Sequence, residues 1–356
     1  MHKLKELFVR RSETIREIMV KLDRGAKGIV LMVDDQERLL ATITDGDIRR
    51  AILANLDLKL PVQELFKLRR EEFRTPTTAP VGTPTEELLK LMQSRNVRQL
   101  PLLDADGRVA DLVLLDELVP ERNLPVQAVI MAGGFGTRLA PLTDNTPKPM
   151  LPIGGRPLME RTIERLKRAG IRNINITTHY LPEKITGYFG DGRRHGVNLN
   201  YVSEDRPLGT AGALGLVGDT DEPLLVMNGD ILTRVDFQEM LRFHRQRKAD
   251  LTVAVRQYDV KVPYGVVESS GGRVVGLREK PQYDFLVNAG IYLLEPSVRR
   301  LIPPGERFNM TDLIEKLLEE NRCVASFPIV EYWLDIGKHD DFQQAQEDVR
   351  EMRWAS

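Results

Sequence analysis

The chain has 356 residues, of which 42% are hydrophobic and 29% are charged. This length predicts two or three domains, and the apolar fraction is too high for an intrinsically disordered protein. Lysine and arginine total 51 against 52 aspartates and glutamates. The sequence therefore lacks the basic excess that usually marks a nucleic-acid-binding protein.

The cellular setting is predicted from the apolar runs and from the single cysteine. The longest strictly apolar runs, such as Ile29–Val33, have five residues, whereas a membrane-spanning helix needs roughly 20. The first residues contain no apolar segment typical of a secretory signal. Cys323 alone excludes an intramolecular disulfide and a cysteine-based zinc site. These features favour a reducing, cytoplasmic setting without a membrane partner.

The first third of the chain contains an internal repeat of short helices and strands. In each copy a helix is followed by two strands, a polar turn between them, and the start of a second helix. The first copy has a helix from about residue 12, strands at 28–33 and 39–44, and a helix at 47–53. The second has a helix at 84–92, strands at 97–103 and 109–115, and a helix start at 116–119. Because neither copy is long enough to bury a core alone, we expect the two to pack sheet against sheet.

This repeat resembles a tandem pair of CBS domains. The resemblance covers roughly residues 8–120, with copies at about 8–62 and 70–120 inside a domain of residues 1–122. It implies a regulatory module that binds an adenine nucleotide, and a homo-oligomer formed through this half of the chain.

The best match to the CBS pattern is the segment Ala41–Ile48. In the family a hydroxyl and an acid three residues later hold the ribose and the phosphate, which assigns these roles to Thr44 and Asp47. The second copy departs from the pattern, since Leu114 replaces the hydroxyl and Glu117 replaces the usual aspartate. The alternative is that Thr44 and Asp47 only cap the following helix.

A second domain, residues 125–356, begins after Asn123-Leu124-Pro125. Buried-strand patterns lie at 126–131, 173–178, 198–202, 224–226 and 251–255, and amphipathic helices lie at 158–169 and 237–246. This alternation predicts an α/β fold with a mostly parallel, doubly wound sheet. Ligands of such sheets bind beyond the carboxyl ends of the strands.

A glycine-rich loop follows the first of these strands. Gly133, Gly134 and Gly136 would let backbone N–H groups approach a phosphate, and Arg138 can add a permanent positive charge. The glycine spacing is neither that of a Rossmann fingerprint nor that of a P-loop. Lys148 lies between two prolines, which exclude a helical or ladder role. These residues predict a site for the phosphates of a small anionic ligand.

The segments Ala132–Thr143 and Pro147–Met150 together resemble the signature of sugar-1-phosphate nucleotidyltransferases, and the resemblance runs over about residues 126–349. Further matching segments are Leu208–Gly212, Asn228–Asp230, Glu279–Pro281, Asn288–Gly290 and Trp333–Gly337. Several of them are similar to those of mannose-1-phosphate guanylyltransferases. The resemblance implies the nucleotide-diphospho-sugar transferase fold. It also implies a reaction in which a sugar-1-phosphate attacks the α-phosphorus of an NTP and releases pyrophosphate.

The same resemblance implies roles for individual residues. Arg138 and Lys148 are the expected catalytic cations, and Asp230 and Asp335 are expected to bind Mg²⁺, which prefers carboxylate oxygens. The expected nucleotide-binding residues are Gly133, Gly134, Gly136, Thr137, Gly209 and Thr210. The expected sugar-phosphate-binding residues are Gly212, Glu279, Lys280 and Asn288. The alternative for each aspartate alone is a turn or a helix cap.

Two further residues lie close to these motifs. Glu204 precedes the Leu208–Gly212 segment on the sugar side of the site, and the alternative for it is a surface charge. His179 is expected to be a hydrogen-bonded loop residue rather than a catalyst.

The resemblance favours GTP as the nucleotidyl donor, with mannose-1-phosphate or glucosamine-1-phosphate as the acceptor. Uridylyl, cytidylyl or thymidylyl transfer to another sugar phosphate is an alternative. A further alternative is a catalytically silent nucleotide sensor. The five charged residues Arg138, Lys148, Asp230, Lys280 and Asp335 argue against it, because a silent copy would not need them.

Overall fold

The computed structural model describes residues 2–69, 75–119 and 123–351. The predicted limits of the second repeat copy, residues 70 and 120, lie outside the described residues, as do the predicted domain ends at residues 122 and 356. Within the described ranges, no helix is long and apolar enough to cross a membrane.

The N-terminal half, residues 2–119, consists of two small sheets with helices. The first copy comprises α1 (His2–Lys5), β1 (Phe8–Val9), α2 (Ile15–Gly25), β2 (Ile29–Val33), β3 (Leu39–Thr44), α3 (Asp45–Leu53) and a 3₁₀ helix (Val62–Leu68). The second copy comprises β4 (Ala79–Pro80), α4 (Thr85–Ser94), β5 (Gln99–Leu103), β6 (Val109–Leu114) and α5 (Leu115–Leu118). Each copy forms one three-stranded sheet, in the orders β1–β2–β3 and β4–β5–β6.

The two sheets share a core, which confirms the expected sheet-to-sheet packing. Ile29, Leu31 and Val33 of the first copy are buried together with Val109 of the second. Backbone hydrogen bonds also join the two β-turns, since Leu39 N donates to Gly107 O at 3.2 Å. Neither sheet could bury these side chains alone.

The C-terminal half, residues 123–351, alternates strands and helices. Its strands are β7 (Gln127–Met131), β8 (Pro152–Ile153), β9 (Arg156–Pro157), β10 (Asn173–Thr178), β11 (Asn198–Ser203), β12 (Leu224–Asn228), β13 (Ile231–Thr233), β14 (Leu251–Lys261), β15 (Val266–Ser270), β16 (Arg273–Arg278), β17 (Gln282–Leu294), β18 (Val324–Ile329) and β19 (Trp333–Asp335). Its helices are α6 (Leu158–Arg168), α7 (Pro182–Phe189), α8 (Gly209–Gly212), α9 (Phe237–Arg247), α10 (Pro296–Arg299), α11 (Met310–Glu319) and α12 (His339–Arg350). Short 3₁₀ helices lie at Thr137–Leu139, Lys148–Met150, Arg193–His195 and Ala213–Leu216. The expectation that the prolines flanking Lys148 exclude a helical role is therefore wrong, because a proline is tolerated in the first turn of a helix, where its missing N–H would have no partner.

The main sheet has seven strands in the order β11–β10–β7–β12–β17–β14–β18. Only β17 runs antiparallel to its neighbours, so the expectation of a mostly parallel α/β sheet is confirmed. Alternate residues of its strands point into two cores, as Ile130 and Val129 of β7 do. Helices α6 and α9 cover one face, and α11 covers the other. The doubly wound arrangement leaves the strand ends open to a ligand.

Two elements of this half were not expected. One is a ribbon of two short antiparallel strands, β13 and β19, outside the main sheet. The other is the β15–β16 hairpin, which lies between β14 and β17 in the chain. Strands β14 and β17 remain paired as far as Lys261 and Gln282, well past their other neighbours in the main sheet.

Candidate functional site

The glycine-rich loop and the Asn228-Gly229-Asp230 segment lie side by side at one edge of the main sheet. Met131 at the end of β7 pairs with Asn228 at the end of β12. Gly229 N donates to Met131 O at 2.9 Å, and a Cβ on Gly229 would lie 2.8 Å from that oxygen. This close approach requires glycine, and it brings the loop beside Asp230.

The three glycines of the loop have different surroundings. Gly136 has a φ of +67°, and Thr143 Oγ1 donates to its carbonyl oxygen at 2.9 Å. A Cβ on Gly133 would lie 2.5 Å from Glu204 Oε1, whereas a Cβ on Gly134 would meet no atom within 4 Å. Packing therefore requires Gly133, while Gly134 borders the open space of the site.

Glu204 is buried behind the loop, which excludes the alternative of a surface charge. Its side chain is only 6% exposed, and its Oε2 accepts a hydrogen bond from Leu208 N at 3.0 Å. The carboxylate thus joins the glycine-rich loop to the Leu208–Gly212 segment. His179 is a hydrogen-bonded loop residue as expected, with Nδ1 2.8 Å from Glu204 O.

An aromatic cluster beside the loop was missed in the sequence. Phe135 is half exposed, and its ring centroid lies 5.5 Å from those of both His179 and Tyr180. Tyr180 in turn donates its hydroxyl to Asp144 O at 2.8 Å. The available signal was a phenylalanine placed between two loop glycines.

Four of the predicted charged residues converge at this edge. Lys148 is 9% exposed and forms an ion pair with Asp230 Oδ2. Asp335 lies on the neighbouring ribbon strand, paired with Ile231. A Cβ on Gly337 would lie 3.8 Å from both Arg138 Nη1 and Asp335 Oδ1, which places Arg138 close to this carboxylate.

The electrostatics of the site follow from this crowding. The side chain of Asp335 is solvent-exposed, yet partial desolvation and then the neighbouring Asp230 carboxylate raise its pKa, and the positive charges of Lys148 and Arg138 oppose that rise. Asp230 Oδ1 is buried and has no hydrogen-bond partner among the described residues. A buried carboxylate oxygen without a donor is costly unless a ligand satisfies it.

These two carboxylates fit a magnesium site better than a site for zinc. The described residues contain no cluster of three His, Cys, Asp or Glu side chains suited to a metal. Mg²⁺ needs only one or two carboxylates when water and substrate phosphates supply the remaining oxygens. Asp230, with its unpartnered oxygen, and the nearby Asp335 provide such a pair.

The Asn288-Ala289-Gly290 segment lies directly beside the charged edge. Gly290 has a φ of +68°, and a Cβ there would lie 2.7 Å from Asn228 Nδ2. Asn288 donates from Nδ2 to Tyr292 Oη at 2.9 Å, and its Oδ1 accepts from Gly290 N. Trp333 Nε1 donates to Ala289 O at 2.9 Å, so the segment is also attached to the ribbon.

Glu279 and Lys280 lie apart from this group. They occupy the exposed turn between β16 and β17, where Lys280 has a φ of +44°. Among the residues that the structure describes, no hydrogen bond or ion pair joins Glu279 or Lys280 to the four converging charges. The structure therefore brings Asn288 to the charged edge but not Glu279 or Lys280.

The predicted residues of the Leu208–Gly212 segment pack against residues 306–310. Thr210 Oγ1 accepts a hydrogen bond from Met310 N at 2.9 Å, at the start of α11. A Cβ on Gly209 would lie 2.7 Å from Phe308 O, and one on Gly212 would lie 2.5 Å from Glu306 O. These contacts account for the small residues by packing. Thr137 is exposed at the start of its 3₁₀ helix, on the open side of the glycine-rich loop.

Thr44 and Asp47, the predicted nucleotide-binding pair of the first copy, bond to each other. Thr44 N and Oγ1 both donate to Asp47 Oδ2, at 2.9 and 3.1 Å. Asp47 also pairs with Arg50 at 2.6 Å and with Arg69 at 2.5 Å. Burial opposes ionisation of Asp47, but these arginines and Thr44 hold its pKa below the usual range. In Asp47 the helix cap and the ion pairs already use both carboxylate oxygens.

Two family models match this chain, one in each half. The family model described as nucleotidyl transferase matches residues 127–352, and the CBS domain model matches residues 1–54 and 71–121.

Two curated relatives are guanylyltransferases. The chain is 35% identical over 232 residues to the mannose-1-phosphate guanylyltransferase of Mycobacterium tuberculosis, a match that covers 63% of this chain and 64% of that protein. It therefore spans less than two thirds of this relative's length. It is 33% identical over 229 residues to the D-glycero-alpha-D-manno-heptose 1-phosphate guanylyltransferase of Aneurinibacillus thermoaerophilus, covering 63% of this chain and 99% of that protein.

A solved structure matches the same half of the chain. The crystal structure of HddC from Yersinia pseudotuberculosis is similar with a TM-score of 0.50 and 26% identity. This match covers 63% of this chain and 99% of that chain.

Proposed function

Because the chain belongs to the nucleotidyl transferase family and carries a CBS pair in its N-terminal half, we propose that it transfers a nucleotidyl group to a sugar-1-phosphate. A phosphate oxygen of the sugar-1-phosphate bonds to the α-phosphorus of the NTP. The bond from that phosphorus to the α–β bridging oxygen breaks, and pyrophosphate leaves. The observation that carries this proposal is the convergence of Arg138, Lys148, Asp230 and Asp335 beside the glycine-rich loop.

The main barrier to this reaction is the electrostatic repulsion between two negatively charged substrates, and the cations of the site reduce it. Both reactants are polyanions, so the protein must neutralise them and hold them in line. Lys148 is almost buried, where a charge acts more strongly than in water. Arg138 is exposed at the mouth of the loop and can approach the triphosphate from solvent. Gly134 leaves room for the phosphates to reach the backbone.

Mg²⁺ is the proposed cofactor, held by Asp230 and Asp335. When bound, it would neutralise charge on the reacting phosphates. The support from this chain is the buried, unpartnered Asp230 Oδ1 and the second carboxylate facing it.

GTP is the proposed donor, with mannose-1-phosphate or glucosamine-1-phosphate as the acceptor. The support for guanine is that the two curated relatives described above are guanylyltransferases. Phe135 offers an aromatic face next to the loop, but an aromatic face does not select one base. Asn288 is the residue best placed to bind a sugar hydroxyl, while Glu279 and Lys280 would have to approach with the turn that carries them.

The remaining predictions concern the setting of the enzyme. A cytoplasmic location stays a prediction based on the single cysteine. Adenine-nucleotide binding at Thr44 and Asp47 and assembly of a homo-oligomer also stay predictions. The ion pairs of Asp47 favour the helix-cap alternative, because a nucleotide would have to replace Arg50 or Arg69.

The test is pyrophosphate release with Mg²⁺ across a matrix of NTPs and sugar-1-phosphates. We expect GTP with one sugar-1-phosphate to turn over much faster than the other pairs. A different NTP in the fastest pair would keep the reaction class and reject the guanylyl assignment. The absence of turnover in every pair, with and without AMP or ATP, would contradict the proposal and favour the silent sensor.

A further inference from the structure

The two metal-binding candidates lie at the same end of the β13–β19 ribbon. Asp230 directly precedes β13, and Asp335 is the last residue of β19. Ile231 pairs with Asp335, and Ile336 N donates to Asp230 O at 3.1 Å. The ribbon therefore fixes how far apart the two carboxylates are.

The other end of the ribbon is held by the first copy of the N-terminal half. Arg234, which follows β13, donates from Nη2 to Asp23 Oδ1 at 2.5 Å. Glu331, which precedes β19, pairs with Arg49 at 2.6 Å. Asp23 lies on α2 and Arg49 on α3, so each ribbon strand is attached to its own helix of the first copy.

The attachment on the Glu331 side is buried and includes apolar packing. Arg49 is 4% exposed, its Nε donates to Pro328 O at 3.1 Å, and its guanidinium lies 4.4 Å from the Phe327 ring centroid. Val330 belongs to the hydrophobic core of the first copy, although it lies in the C-terminal half of the chain. The chain thus passes from the core of the first copy into β19 within three residues.

A displacement of the chain at Val330 and Glu331 would be transmitted along the ribbon to Asp230 and Asp335 over a short and rigid path. Three residues of strand span about 7–10 Å. Leu232 and Ile336 are fully buried in a cluster with Leu139, which belongs to the 3₁₀ helix after the glycine-rich loop. Packed cores change between discrete arrangements rather than deforming continuously. A movement of the ribbon at Arg234 and Glu331 therefore also shifts Asp230 and Asp335 at its other end.

We propose that Arg49, and with it Asp23, are positioning residues for the metal site: the first copy sets the spacing of Asp230 and Asp335 by holding the far end of the ribbon. This inference rests on the proposed metal role of the two carboxylates. It assigns to the N-terminal half a structural part in metal affinity that requires no ligand bound to that half.

The test is Mn²⁺ binding to the full chain, measured from the free Mn²⁺ signal in electron paramagnetic resonance, together with the Mg²⁺ dependence of turnover. Arg49→Met keeps the apolar contact with Phe327 but removes the charge from Glu331. We expect its Mn²⁺ dissociation constant to rise at least about tenfold, as for other residues that orient metal ligands. Arg49→Lys should lie between Arg49→Met and wild type, since lysine cannot donate to Pro328 O and Glu331 in the same fork.

Two further variants extend the test. Arg16→Met is the matched control, because Arg16 also joins the two halves, to Asp259 at 3.0 Å, without touching the ribbon. Asp23→Asn removes the charge from the second attachment at a side chain that is 37% exposed, while the hydrogen bond from Arg234 Nη2 to Asp23 O at 2.7 Å remains. We expect weaker metal binding for Asp23→Asn and wild-type binding for Arg16→Met.

The outcomes also separate this inference from the proposed function. Wild-type Mn²⁺ affinity in Arg49→Met and Asp23→Asn, or in Arg49→Lys and Asp23→Asn if Arg49→Met does not fold, would overturn the inference while leaving the metal site intact. Mn²⁺ binding by wild type that is unchanged by Asp230→Asn would overturn the proposed metal site, and the inference with it.

Discussion

Contacts of single atoms distinguish the two adjacent glycines of the glycine-rich loop. The space beside Gly133 is filled by the Glu204 carboxylate, which cannot withdraw without breaking its hydrogen bond to Leu208 N. The space beside Gly134 is open. The same residue type is therefore required by packing at one position and borders open space at the next.

Gly133→Ala and Gly134→Ala should consequently have different effects. We expect Gly133→Ala to lower the free energy of unfolding by about 1–3 kcal/mol, the usual cost of overpacking a filled site. Gly134→Ala should keep the stability of wild type and raise the KM for the NTP, because its methyl group enters the phosphate space. Thermal unfolding and steady-state kinetics of both variants check this. Equal stability of the two variants would contradict the packing at Gly133.

At the scale of elements, the backbone of the Leu208–Gly212 segment packs closely against the residues at the start of α11. Gly209 has a φ of +80°, and a Cβ there would lie 2.7 Å from Phe308 O. Thr210 accepts a hydrogen bond from the first residue of α11. The segment that resembles a substrate loop therefore also contacts α11, the helix on the sheet face opposite to α6 and α9.

Gly209→Ala should destabilise the protein through both strain and steric overlap. Left-handed backbone at a residue with a side chain costs on the order of 1–3 kcal/mol, to which the overlap with Phe308 O adds. Gly215→Ala is the matched control, since its Cβ would meet no atom closer than 3.8 Å. Urea unfolding of the two variants should give a clear loss for Gly209→Ala only. A loss of similar size in Gly215→Ala would contradict this explanation.

At the scale of the whole molecule, the two halves meet around a mixed cluster of charges. A cavity of about 250 Å³ lies between them, and its lining includes Asp45, Arg98, Arg165, Asp236 and Glu331. Arg98 of the second copy pairs with both Asp116 and Asp236. The junction is therefore held largely by ion pairs next to a space that water can enter.

Asp45 makes this junction sensitive to pH. Burial, and then the neighbouring Glu331 carboxylate, raise the pKa of Asp45 from 3.8 to about 7, although Arg49 opposes the shift. The folded protein thus binds this proton more tightly than the unfolded chain. The stabilising contribution is complete below pH 3.8 and is lost as the pH rises through about 7.

Asp45→Asn should therefore raise the melting temperature more at pH 8 than at pH 5. The amide carries no charge at either pH, so it avoids the cost that the ionised carboxyl adds above pH 7. Thermal melts at the two pH values test this, with the exposed Asp35→Asn as the control. An equal effect of Asp45→Asn at both values would contradict the raised pKa.

Much of the architecture was predictable because it depends on local patterns. The repeat, the strand at β7 and the mostly parallel sheet follow from apolar periodicity and turn residues, and the structure confirms them. The strand-end rule placed Asp230 at the ligand edge, whereas only the family resemblance placed Lys148 beside it. The attachment of Arg49 to Glu331 was not predictable, since 282 residues separate the partners and neither lies in a recognisable motif.

The burial of Glu204 and the edge-on contact of Phe135 with His179 were not predicted, for a related reason. A glutamate after a strand is usually exposed, and only the fold shows that a second loop donates to it. The place of Glu279 and Lys280 was also beyond the sequence, because their motif does not specify how far β16 and β17 extend from the sheet.

The most direct measurement is the turnover of Asp230→Asn with the fastest NTP and sugar-1-phosphate pair of wild type, next to the exposed control Asp340→Asn. Removing the carboxylate charge at the paired, partly buried position should lower kcat at least about a hundredfold. Thermal melting should show that the variant remains folded, and Asp340→Asn should keep wild-type turnover. Turnover of folded Asp230→Asn within a few-fold of wild type would contradict nucleotidyl transfer at this edge of the sheet.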